Sequence, residues 1–142
     1  TEERIEGYRL ALAEAGLTCD EALLVNGESN SESARVAAAA LLALPTPPTA
    51  IMAANNLMTI GAMHALRDAK IAVPEQMALV GFDDFDWADF FLPRLSVIAQ
   101  PVQALGARAV QLLLQRIDNP DGTRQSERLD ATLRIRNSCG CP

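Results

Sequence analysis

The sequence predicts an α/β fold, with an open, mostly parallel β-sheet and helices on both faces. Short apolar runs of strand length alternate along the chain with longer stretches whose apolar residues recur every three or four positions. The links between these segments are short, as is usual in parallel α/β units. The chain has 142 residues, of which 49% are hydrophobic, so it can form one domain with a core and is too short for two full domains.

Two helices and two strands are predicted in the first half of the chain, namely a helix at 2–15, a strand at 22–25, a helix at 31–44 and a strand at 50–54. In the first helix Ile5, Tyr8 and Leu12 fall at steps of three and four, and Thr1 and Gly16 are able to cap its two ends. The second helix is rich in alanine, which predicts close packing on the sheet. A proline-rich segment from Pro45 stops it, because proline cannot donate to a helix.

The second half begins with a further helix, which Asn55 and Asn56 are predicted to cap. The elements predicted after it are a strand at 77–82, an aromatic loop or short helix at 85–93, a strand at 95–99, a helix at 101–117 and a strand at 128–136. The run at 77–82 is apolar throughout, as in a parallel strand buried on both faces. The last strand alternates apolar and polar residues, which predicts a half-exposed antiparallel or edge strand.

Composition and charge exclude several classes of function. The chain carries 12 basic and 18 acidic residues, so its net charge of −6 would repel a phosphate backbone, and any DNA contact must come from elsewhere. No apolar run reaches the about 18 to 20 residues needed to span a bilayer. The three cysteines, Cys19, Cys139 and Cys141, fit a reducing cytoplasm. With His64 as the one histidine no zinc ligand set can be assembled, and we expect no metal and no cofactor.

Polar residues follow several of the predicted strands, where ligands bind in open α/β sheets. They are Ser29, Asn55, Asn56, Asp83, Asp84 and Gln100. Amides, hydroxyls and carboxylates suit a neutral, polyhydroxylated ligand, since they donate to and accept from its hydroxyl groups. The local alternatives stay open, because Asp83 and Asp84 can simply cap the next turn and Asn55 can serve as a helix cap.

The order and spacing of several motifs resemble the LacI/GalR (lactose repressor) family of transcription regulators and its periplasmic-binding-protein relatives. The motifs are Arg4-Ile5-Glu6-Gly7-Tyr8, Pro48-Thr49-Ala50-Ile51 leading to Ala54-Asn55-Asn56, Gly61-Ala62-Met63, Val73-Pro74, Leu79-Val80-Gly81-Phe82-Asp83-Asp84, Pro93-Arg94-Leu95-Ser96-Val97-Ile98-Ala99-Gln100-Pro101 and Arg136-Asn137-Ser138-Cys139-Gly140. The resemblance runs over nearly the whole chain and implies the periplasmic binding protein-like form of the fold. It places the chain in the C-terminal part of a family member.

The resemblance also implies roles for individual residues. Arg4 would donate to ligand hydroxyls or a carboxylate, Asn55 would bond a pair of hydroxyls, and Asp83 would accept from a sugar. Gln100 would lie on the hinge side of the cleft. Ser29 stands where several relatives carry an aromatic ring that stacks on the sugar, so any stacking platform must come from another position.

A homodimer is a further implication of the resemblance. Family dimers pair through the helix that carries Ile60 and Met63 and through the loop near Trp87, Phe90 and Phe91. The apolar character of this loop agrees with a protein contact. For His64 on the same helix, a surface or interface position is expected rather than a catalytic one.

The resemblance divides the chain at residue 100. Residues 1–100 would form the C-terminal subdomain of the effector-binding core, with its first strand missing, and residues 101–142 would supply a helix and a strand that pack with the N-terminal subdomain. The helix-turn-helix head that binds DNA would lie in a separate, absent domain. Residues 101–142 would therefore expose apolar faces here.

Three functions are compatible with these residues. The first is an effector-binding module that controls operator binding through a two-state equilibrium. The second is a periplasmic sugar-binding protein of a transport system, which shares the fold. The third, an enzyme using Asp83 and Asp84 as acid and base, ranks last because adjacent carboxylates at a strand end point in different directions.

Overall fold

The computed structural model describes residues 2–141, which form four α-helices and four β-strands. In chain order these are α1 (Glu2–Glu14), α2 (Ser31–Leu42), β1 (Ala50–Met52), α3 (Asn56–Asp68), β2 (Ala78–Phe82), β3 (Ser96–Ala99), α4 (Val102–Asp118) and β4 (Thr132–Arg134). Two short 3₁₀ helices lie at Glu21–Leu23 and Ala88–Phe90. The predicted capping role of Thr1 lies outside the described residues.

The four strands form one open sheet in the order β1-β2-β3-β4. The first three strands are parallel, with Ile51 opposite Leu79 and Gly81 opposite Val97. The fourth strand is antiparallel to β3 and lies at the edge, with Leu133 opposite Ile98. The prediction of an α/β fold with an open, mostly parallel sheet is therefore confirmed, and so is the antiparallel edge strand.

The hydrophobic core lies between the sheet and the pair formed by α2 and α3. Its buried members come from β1, β2, β3 and these two helices, together with Met77, Ala88 and Leu95. Along β2, Leu79 and Gly81 are buried, whereas Ala78, Val80 and Phe82 are half-buried. Burial of Leu66, Leu79 and Val97 removes apolar surface from water at roughly 25 cal/mol per Å², which is the main force holding these layers together.

Close approach of α2 and α3 depends on Gly61. A Cβ atom at this position would lie 2.3 Å from the carbonyl oxygen of Ser31 and 2.7 Å from the Cβ atom of Ala34. Real Cβ atoms do not come so near a backbone oxygen, so only glycine allows the helices to pack at this distance. The small side chains of α2, Ala34 and Ala38, are buried in the same contact. The predicted close packing of the alanine-rich helix is thus observed, although against α3 more than against the sheet.

The two remaining helices are far less buried. Neither α1 nor α4 contains a buried residue among those described. Val102 and Leu105 of α4 are exposed. On β4, Leu133 is exposed as well. This exposure agrees with the expectation that residues 101–142 present apolar faces in this chain.

Several predicted boundaries change, and one predicted strand is absent. Residues 22–25 form no strand; instead Asp20 caps the 3₁₀ helix, and Leu24 is extended without a strand partner. A strand requires a neighbour for its hydrogen bonds, which an apolar run cannot supply alone. The helix predicted to end at residue 44 ends at Leu42, since Pro45 disfavours helical geometry just before it. The strand predicted at 128–136 is paired only at Thr132–Arg134.

The segment after β4 is attached to the sheet by a buried serine. The Ser138 hydroxyl donates to the Leu79 carbonyl oxygen at 2.6 Å and accepts from the Ser96 amide at 2.8 Å. These bonds satisfy a fully buried polar side chain and connect the chain's end to β2 and β3. The division at residue 100 stays a prediction, but residues 132–138 clearly make contacts with the part before it.

In the part of the chain that the structure describes, no helix combines the length and the apolar character needed to cross a membrane.

Candidate ligand-binding site

The candidate site lies at the carboxyl edge of the three parallel strands. Asn55 follows β1, Asp83 follows β2 and Gln100 follows β3. Because the strands are parallel, their carboxyl ends meet at the same edge of the sheet. The three predicted polar positions therefore share one rim.

Asp83 and Gln100 are in direct contact across the ends of β2 and β3. The Gln100 Nε2 group donates to Asp83 Oδ1 at 2.5 Å, and the Asp83 amide donates to the Ile98 carbonyl oxygen at 2.9 Å. Asp83 has a φ of 74°, a left-handed conformation that is uncommon for a residue other than glycine. The carboxylate has lone pairs beyond those engaged by Gln100, so it can also accept from a ligand hydroxyl.

Asn55 combines a capping role with a position on the rim. Its side-chain oxygen accepts from the Met58 amide at 2.8 Å and caps α3, as predicted. The half-buried carboxamide keeps its Nδ2 group as the part that can donate to a ligand. Neighbouring Asn56 instead accepts from the Leu57 amide.

Arg4 joins the ends of β1 and β2. Its Nη1 group donates to the Ala54 carbonyl oxygen, and its guanidinium carbon lies 3.6 Å from the centre of the Phe82 ring. This cation–π geometry holds the guanidinium over the residue that precedes Asp83. Sequence reasoning did not identify Phe82 as part of the site, because a strand-end aromatic residue gives no indication of which distant cation will cover it.

Ser29 is more exposed than the other four predicted ligand contacts. It lies in the turn before α2, is exposed, and has a φ of 54°. It lines a cavity of about 510 Å³ together with Arg4 and Asn55, whereas Asp83 and Gln100 are not among the lining residues. The structure therefore brings the predicted residues together in two groups, which meet where Arg4 covers Phe82.

Most of that cavity is apolar and follows the free edge of β1. Its walls are formed by Ile5 and Tyr8 of α1, by apolar residues of α2 and by residues 23–27 and 50–54. In the described sheet the outer edge of β1 has no strand neighbour, so its backbone N–H and C=O groups are unpaired there. Such walls suit backbone pairing and apolar packing. Only the rim near Arg4 and Asn55 suits a polar ligand.

Asp84 has a different environment from Asp83. Arg136 donates to both of its carboxylate oxygens, at 3.0 and 3.1 Å, and Arg134 pairs with it at 2.9 Å. Partial burial raises the pKa of the Asp84 carboxyl, but the hydrogen bonds and charge of Arg136 and the charge of Arg134 outweigh it and hold the pKa below its usual value. Asp84 is therefore an ionised member of an ion-pair cluster, a partnership that sequence reasoning missed.

The predicted dimer residues differ in exposure. Met63 and Phe91 pack partly buried against the core, and Ile60 is half-buried. Trp87 packs on Phe91 with a ring-centre distance of 5.2 Å and is partly exposed, whereas Phe90 is 84% exposed. The aromatic loop is thus attached to the core on one side and presents apolar surface on the other.

The other sequence candidates have no ligand set around them. His64 is exposed on α3, and Cys19, Cys139 and Cys141 are free thiols. Among residues 2–141 there is no group of three or more His, Cys, Asp or Glu side chains arranged to hold a metal ion.

Residues 1–139 match the model of the periplasmic binding protein-like domain. The chain is 36% identical over 124 residues to the transcriptional repressor PurR of Vibrio cholerae serotype O1 (strain M66-2), covering 87% of this chain and 37% of the relative. It is 37% identical over 129 residues to the ribose operon repressor of Escherichia coli (strain K12), covering 91% of this chain and 38% of that protein.

Solved structures agree with these matches. A complex of the transcriptional regulator CelR with cellobiose superposes with a TM-score of 0.88 at 34% identity, covering 96% of this chain and 42% of that one. A LacI-family regulator from Enterococcus faecium with bound ribose gives a TM-score of 0.84 at 30% identity, with 95% of this chain and 50% of that chain covered.

The chain spans well under half the length of the curated relatives named here, 37% and 38% of them. Across that span the matched residues 1–139 and the solved structures agree with one family. The chain belongs to the periplasmic binding protein-like family, in the form found in the C-terminal part of LacI-type transcription regulators.

Proposed function

We propose that this chain is the effector-binding part of a LacI-type transcription regulator and that its effector is a sugar or a related neutral metabolite. The observation that carries the proposal is the single rim on which Asn55, Asp83 and Gln100 follow three adjacent parallel strands. Their amides and carboxylate match the paired donor and acceptor character of sugar hydroxyls. Structural relatives with cellobiose and with ribose support this ligand class.

The ligand is proposed to bind at the rim rather than in the apolar cavity. Arg4 and Asn55 would donate to hydroxyl groups on one side, and Asp83, held by Gln100, would accept on the other. Ser29 would contact the ligand at the outer margin. The apolar walls along β1 offer few groups that could replace the water around a sugar.

Regulation would act through DNA binding by a separate domain, since this chain has a net charge of −6. The effector would bias two arrangements of the regulator by binding one more tightly than the other. The curated relatives named above are repressors, which favours this function and a cytoplasmic location over a transport protein.

An enzymatic role is not part of the proposal. Asp84 is held ionised by Arg136 and Arg134, with its pKa below the usual value, so it is poorly suited to exchange protons near neutral pH. Asp84 therefore does not provide Asp83 with a partner for acid–base chemistry.

Calorimetric titration of the full-length protein with D-ribose, cellobiose and a panel of pentoses, hexoses and sugar acids tests the effector class. A sugar that binds should also raise the free energy of unfolding, by about 2.7 kcal/mol when its free concentration is a hundred times its Kd. Asp83→Ala should weaken that binding by about 10- to 150-fold, because a hydrogen bond to a charged group contributes roughly 1.5–3 kcal/mol. Absence of binding by every sugar in the panel would contradict the proposal.

Asn55 and Asn30 form a matched pair for this test. Asn30 caps α2 by accepting from the Ser33 amide at 2.9 Å, as Asn55 caps α3. Asn55→Ala and Asn30→Ala should both lower the free energy of unfolding by about 0.5–2 kcal/mol. Only Asn55→Ala should also weaken sugar binding, and equal affinities in the two variants would remove Asn55 from the site.

Homodimerisation through the aromatic loop is part of the same proposal. Phe90 and Leu92 are 84% and 96% exposed, and large exposed apolar side chains grouped in one loop favour a protein contact. Phe90→Asp should shift the full-length protein towards monomer in analytical ultracentrifugation, whereas Val36→Asp, at an exposed site on α2, should not. Dimers of unchanged strength in Phe90→Asp would place the interface elsewhere.

A further inference from the structure

A half-buried arginine near the end of the chain, Arg136, contacts Asp84, the residue that follows Asp83. The Arg136 side chain is 11% exposed, and its two Nη groups donate to the two carboxylate oxygens of Asp84 at 3.0 and 3.1 Å. Nη1 also donates to the Leu95 carbonyl oxygen at 2.8 Å, and Nε pairs with Asp89 at 2.7 Å. This two-pronged geometry fixes orientation as well as distance, which a single contact does not.

The backbone of Arg136 is attached to β3. Its amide donates to the Ser96 hydroxyl at 2.8 Å, at the start of β3. Two residues later, Ser138 bonds to β2 and β3 through Leu79 and Ser96. The guanidinium therefore projects from a segment that is anchored to the same two strands whose far ends carry Asp83 and Gln100.

Asp83, which precedes Asp84 in the chain, has an unfavourable backbone conformation. Asp83 has a φ of 74°, which its Cβ atom disfavours, so surrounding contacts must maintain it. On one side its amide is bonded to the Ile98 carbonyl oxygen. On the other side the next residue, Asp84, is held by Arg136. In this conformation the Asp83 carboxylate accepts from Gln100 Nε2.

We propose that Arg136 is a positioning residue for the ligand-binding carboxylate: by clamping Asp84, it keeps Asp83 in its left-handed conformation at the rim. Arg136 acts through the backbone of the 83–84 corner, since its contacts are with Asp84, Asp89 and Leu95. The effect on affinity rests on the proposed function, whereas the effect on the conformation of Asp83 does not.

Arg134 offers a matched control on the same carboxylate. It pairs with Asp84 Oδ2 at 2.9 Å, but its side chain is 59% exposed, so water replaces it readily. Arg134→Met and Arg136→Met remove the same charge from the same partner. Only Arg136→Met removes the two-pronged contact and the bond to Leu95.

The test is nuclear magnetic resonance of the full-length, sugar-free protein with labelled aspartate, because the Cα and Cβ chemical shifts of residue 83 report its backbone conformation. Arg136→Met should move these shifts away from left-handed values, and Arg134→Met should leave them unchanged. Should Arg136→Met fail to fold, Arg136→Lys and Asp84→Asn serve instead, since each weakens the clamp while retaining most of the side-chain volume. If the Cα and Cβ chemical shifts of residue 83 stay unchanged in folded variants of Arg136 or Asp84, the proposal is overturned.

A second readout is the Kd for D-ribose, or for whichever sugar of the panel the unaltered protein binds. Arg136→Met should raise that Kd by at least about tenfold, and Arg134→Met by less than about twofold. A loss of thermal stability in Arg136→Met with unchanged Kd and unchanged residue 83 shifts would mean that the pair is only structural. If no sugar binds the unaltered protein, the proposed function fails, and the chemical shifts still decide the role of Arg136.

Discussion

Two pairs of helices in this chain have very different surroundings. α2 and α3 pack on each other and on the sheet, with Ala34, Ala38, Ala62 and Leu66 buried between them. α1 and α4 contain no buried residue among those described, and α4 exposes Val110, Leu113, Leu114 and Ile117. The exposure of α4 teaches that an amphipathic pattern defines a face and does not by itself provide the surface that covers it.

Truncating one leucine in each region should give the largest contrast. Leu79 on β2 is 1% exposed, so Leu79→Ala should lower the free energy of unfolding by about 2–5 kcal/mol through lost burial and a cavity. Leu113 on α4 is 58% exposed, and Leu113→Ala should change the free energy of unfolding by less than about 0.5 kcal/mol in this chain. Urea unfolding of the 142-residue chain measures both. Comparable losses would mean that α4 is covered after all.

Two glycine substitutions should change stability in opposite directions. Gly61→Ala should destabilise the chain by about 1–3 kcal/mol, because the new Cβ atom would meet the Ser31 carbonyl oxygen. Gly106 lies inside α4 with nothing within 4 Å of its would-be Cβ atom. Gly106→Ala should therefore stabilise the chain by about 0.5–1 kcal/mol, since glycine is a poor helix former. Thermal unfolding of both variants checks the signs, and a stabilising Gly61→Ala would refute the tight contact of α2 with α3.

The smallest expected effect concerns acid stability and compares a partly buried with an exposed ion pair. The pKa of Asp84 is below its reference value of 3.8, so its stabilising contribution is complete above that pH and is lost as the pH falls through the folded-state pKa. Asp84→Asn should remove this contribution, and its free energy of unfolding should change less steeply below about pH 4.

Glu3 provides the exposed comparison for this pH measurement. It pairs with Arg128 in a bridge whose side chains are 82% and 87% exposed, and such pairs contribute only about 0–1 kcal/mol. Glu3→Gln should leave the pH dependence of the free energy of unfolding nearly unchanged in acid. Parallel acid unfolding curves for Asp84→Asn and the unaltered chain would contradict the assigned pairing with Arg136.

Much of the secondary structure was predictable because it depends on neighbours along the chain. The spacing of apolar residues identified the four helices, and Asn55 was recognised as a cap from its place before α3. The strand predicted at 22–25 was wrong because pairing requires a partner that an apolar run cannot specify. β4 is shorter than the predicted strand at 128–136 for the same reason, since only Thr132–Arg134 have partners on β3.

The candidate site was predictable only as a set of positions. Parallel strands place their carboxyl ends at one edge, so the shared rim of Asn55, Asp83 and Gln100 followed from the order of elements. Their roles as ligand contacts remain predictions. The neighbouring residues Asp83 and Asp84 looked equivalent in sequence, yet one contacts Gln100 and the other contacts Arg136.

The sequence by itself determined which segments become helices, which become buried strands and which polar residues follow them, because those properties depend on spacing and capping over a few residues. Only the tertiary structure decided that Arg4 covers Phe82, that Arg136 holds Asp84 and that, among the described residues, α1 and α4 have none that is buried. These outcomes depend on which distant segments meet in space, and no local pattern of residues encodes a partner many positions away.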